Sequence, residues 1–96
     1  MEYIVNLETE FYDRVNYKSY KYEFTNFNYE LKRFNSLEQA IEYIKNYKLE
    51  YEFSRTALYV DYLTLCDSNE NFEDYEMYNR GYDLEELAEQ EEITFK

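Results

Sequence analysis

The sequence predicts an α+β domain: an antiparallel sheet of about four to six strands packed against one main helix, with a second short acidic helix near the C-terminus. Three observations lead there. Residues 36–48 carry an apolar stripe at helical spacing behind a capping residue. The segments on both sides of it alternate with period two. One glycine and no proline among 96 residues leave no composition break, so residues 1–96 read as a single compact acidic domain.

The helix is S-L-E-Q-A-I-E-Y-I-K-N-Y-K. Ser36 can accept backbone N–H bonds as N-cap, and Gln39 stands where a capping box would close. Leu37, Ala40, Ile41, Ile44 and Tyr47 recur at three- and four-residue steps on one face. Glu38 and Glu42 lie toward the positive end of the dipole, Lys45 and Lys48 toward the negative end. A helix of about three turns is marginal alone in water, so the rest of the chain must cover its stripe.

Tyr3, Val5 and Leu7 alternate with Glu2, Ile4 and Asn6, as in a half-buried strand. The pattern resumes from Phe11, and residues 16–19 can turn the chain. Tyr20, Tyr22 and Phe24 then share one parity, whereas Phe27, Tyr29 and Leu31 share the other. That change of phase requires a bulge or a turn near Thr25 and Asn26. The expectation is a meander of three or four strands leading into the helix.

After the helix, Leu49, Tyr51 and Phe53 alternate with Glu50, Glu52 and Ser54 and read as a strand. The run A-L-Y-V-D-Y-L-T-L-C at 57–66 fits a helix through Leu58, Tyr62 and Leu65, or a strand through Leu58, Val60 and Tyr62. Its Tyr, Val and Thr content favours the strand. Cys66 at its end reads as a small buried apolar residue. D-S-N-E-N at 67–71 is a turn by composition, and residues 72–78 suit an edge strand. Asn79, Arg80 and Gly81 read as a turn using the one residue that adopts positive φ cheaply. Asp83 then caps D-L-E-E-L-A-E-Q, with Glu86 in the box position and Leu84, Leu87 and Ala88 as the apolar seam. Residues 93–95 are a last strand or a pinned tail.

Fourteen tyrosines and seven phenylalanines argue against disorder despite the charge. The complete lack of histidine removes Ser-His, Cys-His and histidine-ligated metal chemistry. One glycine builds neither a phosphate loop nor a dinucleotide fingerprint. Carboxylate pairs abound, but among twenty-two acids close pairs arise without chemistry. The 67–73 stretch lacks the central glycine and the closing glutamate of a calcium loop. The expectation is no enzyme, no cofactor and no metal. No run is long and apolar enough for a membrane helix, and the first residues lack a signal-peptide pattern. A lone cysteine implies no disulfide framework.

Charge is the outlying property. Twenty-two acidic and ten basic residues give −12. Residues 1–66 hold eleven acids and eight bases, and residues 67–96 hold eleven acids against Arg80 and Lys96. The last third thus carries −9. Such a field repels nucleic acid and attracts a protein with a basic nucleic-acid-binding groove. Carboxylates on a strand face repeat about every 6–7 Å and helix neighbours lie about 5–6 Å apart. A DNA strand carries one charge per about 3.4 Å, a comparable scale. Tyrosines beside acids can anchor an interface with a charged rim. The expected partner-binding residues are Asp67, Glu70, Glu73, Asp74, Tyr75, Glu76, Tyr78, Tyr82, Asp83, Glu85, Glu86 and Glu89. An alternative set, with Arg14, Lys18, Lys21, Lys32 and Arg33 beside Tyr20, Tyr22 and Phe24, would bind nucleic acid directly. The surrounding field has the wrong sign for it.

In this overall character the chain resembles small, acidic, Tyr- and Asn-rich phage-type inhibitors that mimic DNA: anti-CRISPR and antirestriction proteins and inhibitors of uracil-DNA glycosylase. No motif carries functional residues across, and that group shares no single fold. The resemblance implies stoichiometric blocking of a nucleic-acid-binding protein, such as a CRISPR effector or a restriction enzyme. The alternative is an acidic protein–protein interaction or antitoxin-like module without DNA mimicry. The expected protein is a monomer or small homo-oligomer without direct nucleic-acid or membrane contact. Its expected location is cytoplasmic, in the host cell if it is phage-encoded.

Overall fold

The computed structural model of the chain describes residues 2–16, 18, 20–69 and 78–95. Its framework is a hairpin of two long strands, β1 (Tyr3–Asn16) and β2 (Lys21–Phe34). Phe11 pairs with Asn26 and Tyr12 with Phe24, which leaves Thr25 as an extra residue in β2. The Thr25 hydroxyl donates to the Phe11 carbonyl at 3.1 Å. The phase change seen in the sequence is therefore a β-bulge. Because the bulge absorbs the offset without turning the chain, the expected three or four strands are two.

α1 (Leu37–Asn46) begins at Ser36, whose side chain accepts the Gln39 N–H. It ends two residues short of the expected Lys48, because Tyr47 leaves helical geometry at ψ 132°. Its last carbonyls are held by one cation. The Arg80 guanidinium donates to the carbonyls of Ile44 at 2.6 Å, Tyr47 at 3.0 Å and Lys45 at 3.3 Å. A cation at that end also satisfies the helix dipole.

β3 (Tyr51–Phe53) and β4 (Ala57–Asp67) follow, so the ambiguous 57–66 run is a strand. β4 lies antiparallel to β1 over its whole length, from Tyr3↔Asp67 to Asp13↔Ala57. β3 covers part of its other edge, and β5 (Arg80–Gly81) covers the adjacent part through Tyr62↔Gly81. Arg80 and Gly81 are thus a strand pair rather than a turn, and Gly81 has no positive φ. Its role is steric: a Cβ there would fall on the Tyr62 ring. The edge strand expected at 72–78 lies outside the described residues except for Tyr78.

α2 (Leu84–Glu91) is capped by Asp83, whose carboxylate accepts the Glu85 N–H at 3.0 Å and the Glu86 N–H at 3.3 Å. β6 (Thr94–Phe95) is the last strand and runs parallel to Lys21–Tyr22. The sheet order is β3-β4-β1-β2-β6, and this parallel end makes an otherwise antiparallel sheet mixed.

Directly opposed residues of neighbouring strands share a face. Val5, Leu63 and Leu65 lie on one face and pack with Ala40 and Ile44 of α1. Tyr12, Leu58 and Val60 lie on the other and pack with Leu87 of α2, Tyr22 and Ile93. The two helices therefore cover opposite faces toward opposite ends of one long sheet. This offset produces an extended body of 51 × 22 × 21 Å. Its radius of gyration is 15.3 Å, against about 12.5 Å for a compact chain of this length.

Candidate acidic interface

Four of the expected acids come together on α2 and its cap. Asp83, Glu85, Glu86 and Glu89 are all exposed. Helical geometry puts Glu85 and Glu89 on one stripe with Glu92, and Glu86 flanks it. The opposite side of the helix is anchored by buried Leu87 with Leu84 and Ala88 against the sheet. Gln90 donates to Glu86 at 3.2 Å, one turn along. Glu86 thus braces the outer face rather than completing a reciprocal box with Asp83.

The helix keeps its charge at a cost to its own stability. Its last turn has no basic residue, so Glu89 and Glu91 face the negative end of the dipole. Glu92, the C-cap, adopts φ 55°, a left-handed conformation that favours glycine. Glu91 is partly compensated by the Tyr51 hydroxyl, which donates to it at 3.2 Å.

The other expected residues divide. Asp67 is buried, and its carboxylate accepts the Asn69 N–H at 2.9 Å. It stabilises the turn after β4 at the end of the sheet remote from α2, so it adds little to a docking surface. Tyr78 packs half-buried in the α1 core. Tyr82 is half-buried as well, with its hydroxyl donating to the Leu49 carbonyl at 3.0 Å. Its ring meets the exposed Tyr51 edge-on at 4.7 Å, which places one aromatic pair beside the α2 acids. Glu70, Glu73, Asp74, Tyr75 and Glu76 lie outside the described residues.

Two acids from the nearly balanced half join this face. Glu8 and Glu10 stand opposite Tyr62 and Val60, on the side of the sheet that carries α2. Partial burial and the neighbouring Glu10 hold the Glu8 carboxyl above its ordinary range. The Tyr12 hydroxyl donates to Glu10 at 2.7 Å. Burial, with Glu10, Glu8 and Asp83 adding to it, pushes the Tyr62 phenol well up. Acids of β1 and of the α2 cap thus act on one ring. The signal was present in the sequence, since Glu8, Glu10 and Tyr12 share a parity.

The basic set does not converge. Arg14 reaches the Arg55 carbonyl and stacks over the Tyr20 ring at 4.2 Å. Arg33 pairs with Glu2 at 3.1 Å, while Lys32 belongs to the opposite face of the sheet. Tyr22 is fully buried with its hydroxyl on the Ser54 carbonyl, so it cannot stack on a base. Among the described residues no group of three acids or thiols has the geometry to hold a metal ion, and no helix is long and apolar enough to cross a membrane. No protein-family model, curated protein or solved structure matches the chain.

Proposed function

We propose that this protein is a stoichiometric, non-catalytic inhibitor. It binds a nucleic-acid-binding protein, a CRISPR effector or a restriction enzyme, through an acidic surface that stands in for DNA. The observation that carries this reading is the combination of shape and charge. A body 51 Å long bears a net −12, about one net charge per 4 Å, close to the spacing of about 3.4 Å along one DNA strand. The acids kept at the C-terminal end of α2, Glu89, Glu91 and Glu92, stand against its dipole, a detail that a purely structural helix would not need.

The test is competition. The protein is titrated into a DNA-cleavage assay of such an enzyme, and the complex is then challenged with target DNA. Loss of cleavage at a one-to-one ratio, relieved by excess DNA and by salt, supports occupation of the DNA site. A ternary complex holding both DNA and this protein would sink mimicry. The second reading, an acidic module that packs on a basic partner without imitating DNA, then takes its place. The exposed edge of Tyr51 against Tyr82 beside the α2 acids favours that reading, since aromatic anchors within a charged rim are the usual interface pattern.

A further inference from the structure

β2 is the outer strand of the hairpin, and among the described residues only Lys21 and Tyr22 have a strand partner on its far side, in β6. Among the described residues no strand lies beside residues 24–34 of β2 on that side. Open edges are normally blunted by proline, by inward charges or by shortness. Asn26 to Leu31 has no proline and is not short; its one charge, Glu30, lies on the face opposite the apolar row, and the Thr25 bulge ends before it. Among the described residues β2 also carries four of the seven exposed large apolar side chains: Phe24 is 49%, Phe27 50%, Tyr29 63% and Leu31 50% exposed. Their partners on β1 (Tyr12, Glu10, Glu8 and Asn6) place all four on one face of the sheet. Phe27 and Tyr29 stack on each other at 6.2 Å, and Phe24 meets Tyr12 edge-on at 5.7 Å.

We propose that this edge pairs with β2 of a second copy, antiparallel about a two-fold axis at Tyr29. In that register Tyr29 faces its own counterpart, and Phe27 faces Leu31 of the other chain on both sides of the axis. The opposite face pairs Asn28 with Glu30 and Asn26 with Lys32. Like charges never stand directly opposed. Sliding the register to a centre at Glu30 would set two carboxylates face to face and put Phe27 opposite Arg33. The pattern is therefore self-complementary, as an isologous contact requires. Charge selects the same edge. β2 holds three bases and two acids, a net +1 in a chain of −12, so two copies repel least along this strand. The half-exposed side chains and the backbone edge offer less than the roughly 800 Å² per partner of a standard interface, which points to a dimer that dissociates in the micromolar range.

Sedimentation across roughly the micromolar to submillimolar range should show a monomer–dimer equilibrium that tightens as salt screens the repulsion between two acidic chains. Salt should weaken the proposed DNA-like contact, so the two associations respond in opposite directions. Tyr29→Lys puts two cations on the axis and should raise the dissociation constant by about tenfold or more, with an unchanged circular dichroism spectrum because the side chain is exposed. Oxidised Tyr29→Cys should form a covalent dimer, and Glu30→Cys should not. A wild-type monomer at every concentration overturns the proposal and leaves the edge to a strand of another protein. A dimer undiminished in Tyr29→Lys overturns its location, and equal cross-linking by both cysteine variants overturns its register.

Discussion

The ring of Tyr62 lies against the backbone of Gly81, close enough that a β-carbon at Gly81 would overlap Cδ1 and Cε1 of the ring. The pair is directly opposed across β4 and β5, so the glycine lets an aromatic side chain cover a strand that has no side chain there. Gly81→Ala should therefore destabilise the fold by about 1–3 kcal/mol, the usual cost of overpacking. Tyr62→Leu in the same background should recover part of that loss, because it removes the ring that clashes. Urea unfolding of the two single variants and the double variant checks this. Purely additive losses would mean that the close approach is relaxed elsewhere.

Glu92 closes α2 in left-handed geometry and adds a negative charge at the negative end of the helix. Glu92→Gly should remove both penalties and raise stability by about 1 kcal/mol. The measurement is the shift in the unfolding midpoint at constant slope. A decrease would show that the Glu92 side chain makes a contact worth more than the strain and the charge together.

How much of this was legible in the sequence depended on whether a local rule decided the outcome. Ser36 and Asp83 are caps with one geometric solution each, and both helices begin where those residues stand. The Thr25 bulge was legible because a change of parity inside one strand permits only a bulge or a turn. Gly81 was misread because composition favours a turn at Asn-Arg-Gly. The deciding fact, the Tyr62 ring, sits nineteen residues away and depends on strand register. Glu8 and Glu10 are not legible as part of the acidic face for a related reason. Along the chain they belong to the nearly balanced residues 1–66, whereas the fold brings β1 beside the α2 cap, where Glu8, Glu10 and Asp83 act on the Tyr62 ring.

Glu8 supplies a pH dependence with a definite sign. Its carboxyl is raised above the ordinary 4.5 by partial burial and by Glu10. A raised folded-state pKa means the native chain holds the proton more tightly than the unfolded one. Its contribution is present below the unfolded value and is lost as pH rises through the folded value. At neutral pH the ionised group is a liability, so Glu8→Gln should be more stable than the parent there. The difference should shrink as pH falls below the ordinary glutamate range. Unfolding curves at neutral and acidic pH test it, and an advantage that grows on acidification would reverse the assignment.

The functional proposal turns on whether the exposed acids of α2 act through charge or merely keep the chain soluble. Glu85, Glu86 and Glu89 have their carboxylates in solvent, and Leu87 fixes the helix that carries them. Replacing all three by lysine changes the charge by six units, from −12 to −6, and leaves the packed side of the helix intact. Binding to the basic partner should then slow in association by about tenfold or more at low salt, because electrostatic steering is what such a surface supplies. The loss should fade as ionic strength rises, since the Debye length contracts to about 8 Å at physiological salt. Glu8→Gln with Glu10→Gln should add to the effect, as those acids share the face. Reversal of Glu38 and Glu42, which lie on the other helix over the other face, serves as the control and should matter less. Stopped-flow association at two salt concentrations separates the cases. Losses that scale only with the charge changed, six units on α2 and four on α1, would mean that only net charge matters, and no loss for α2 would remove it from the interface.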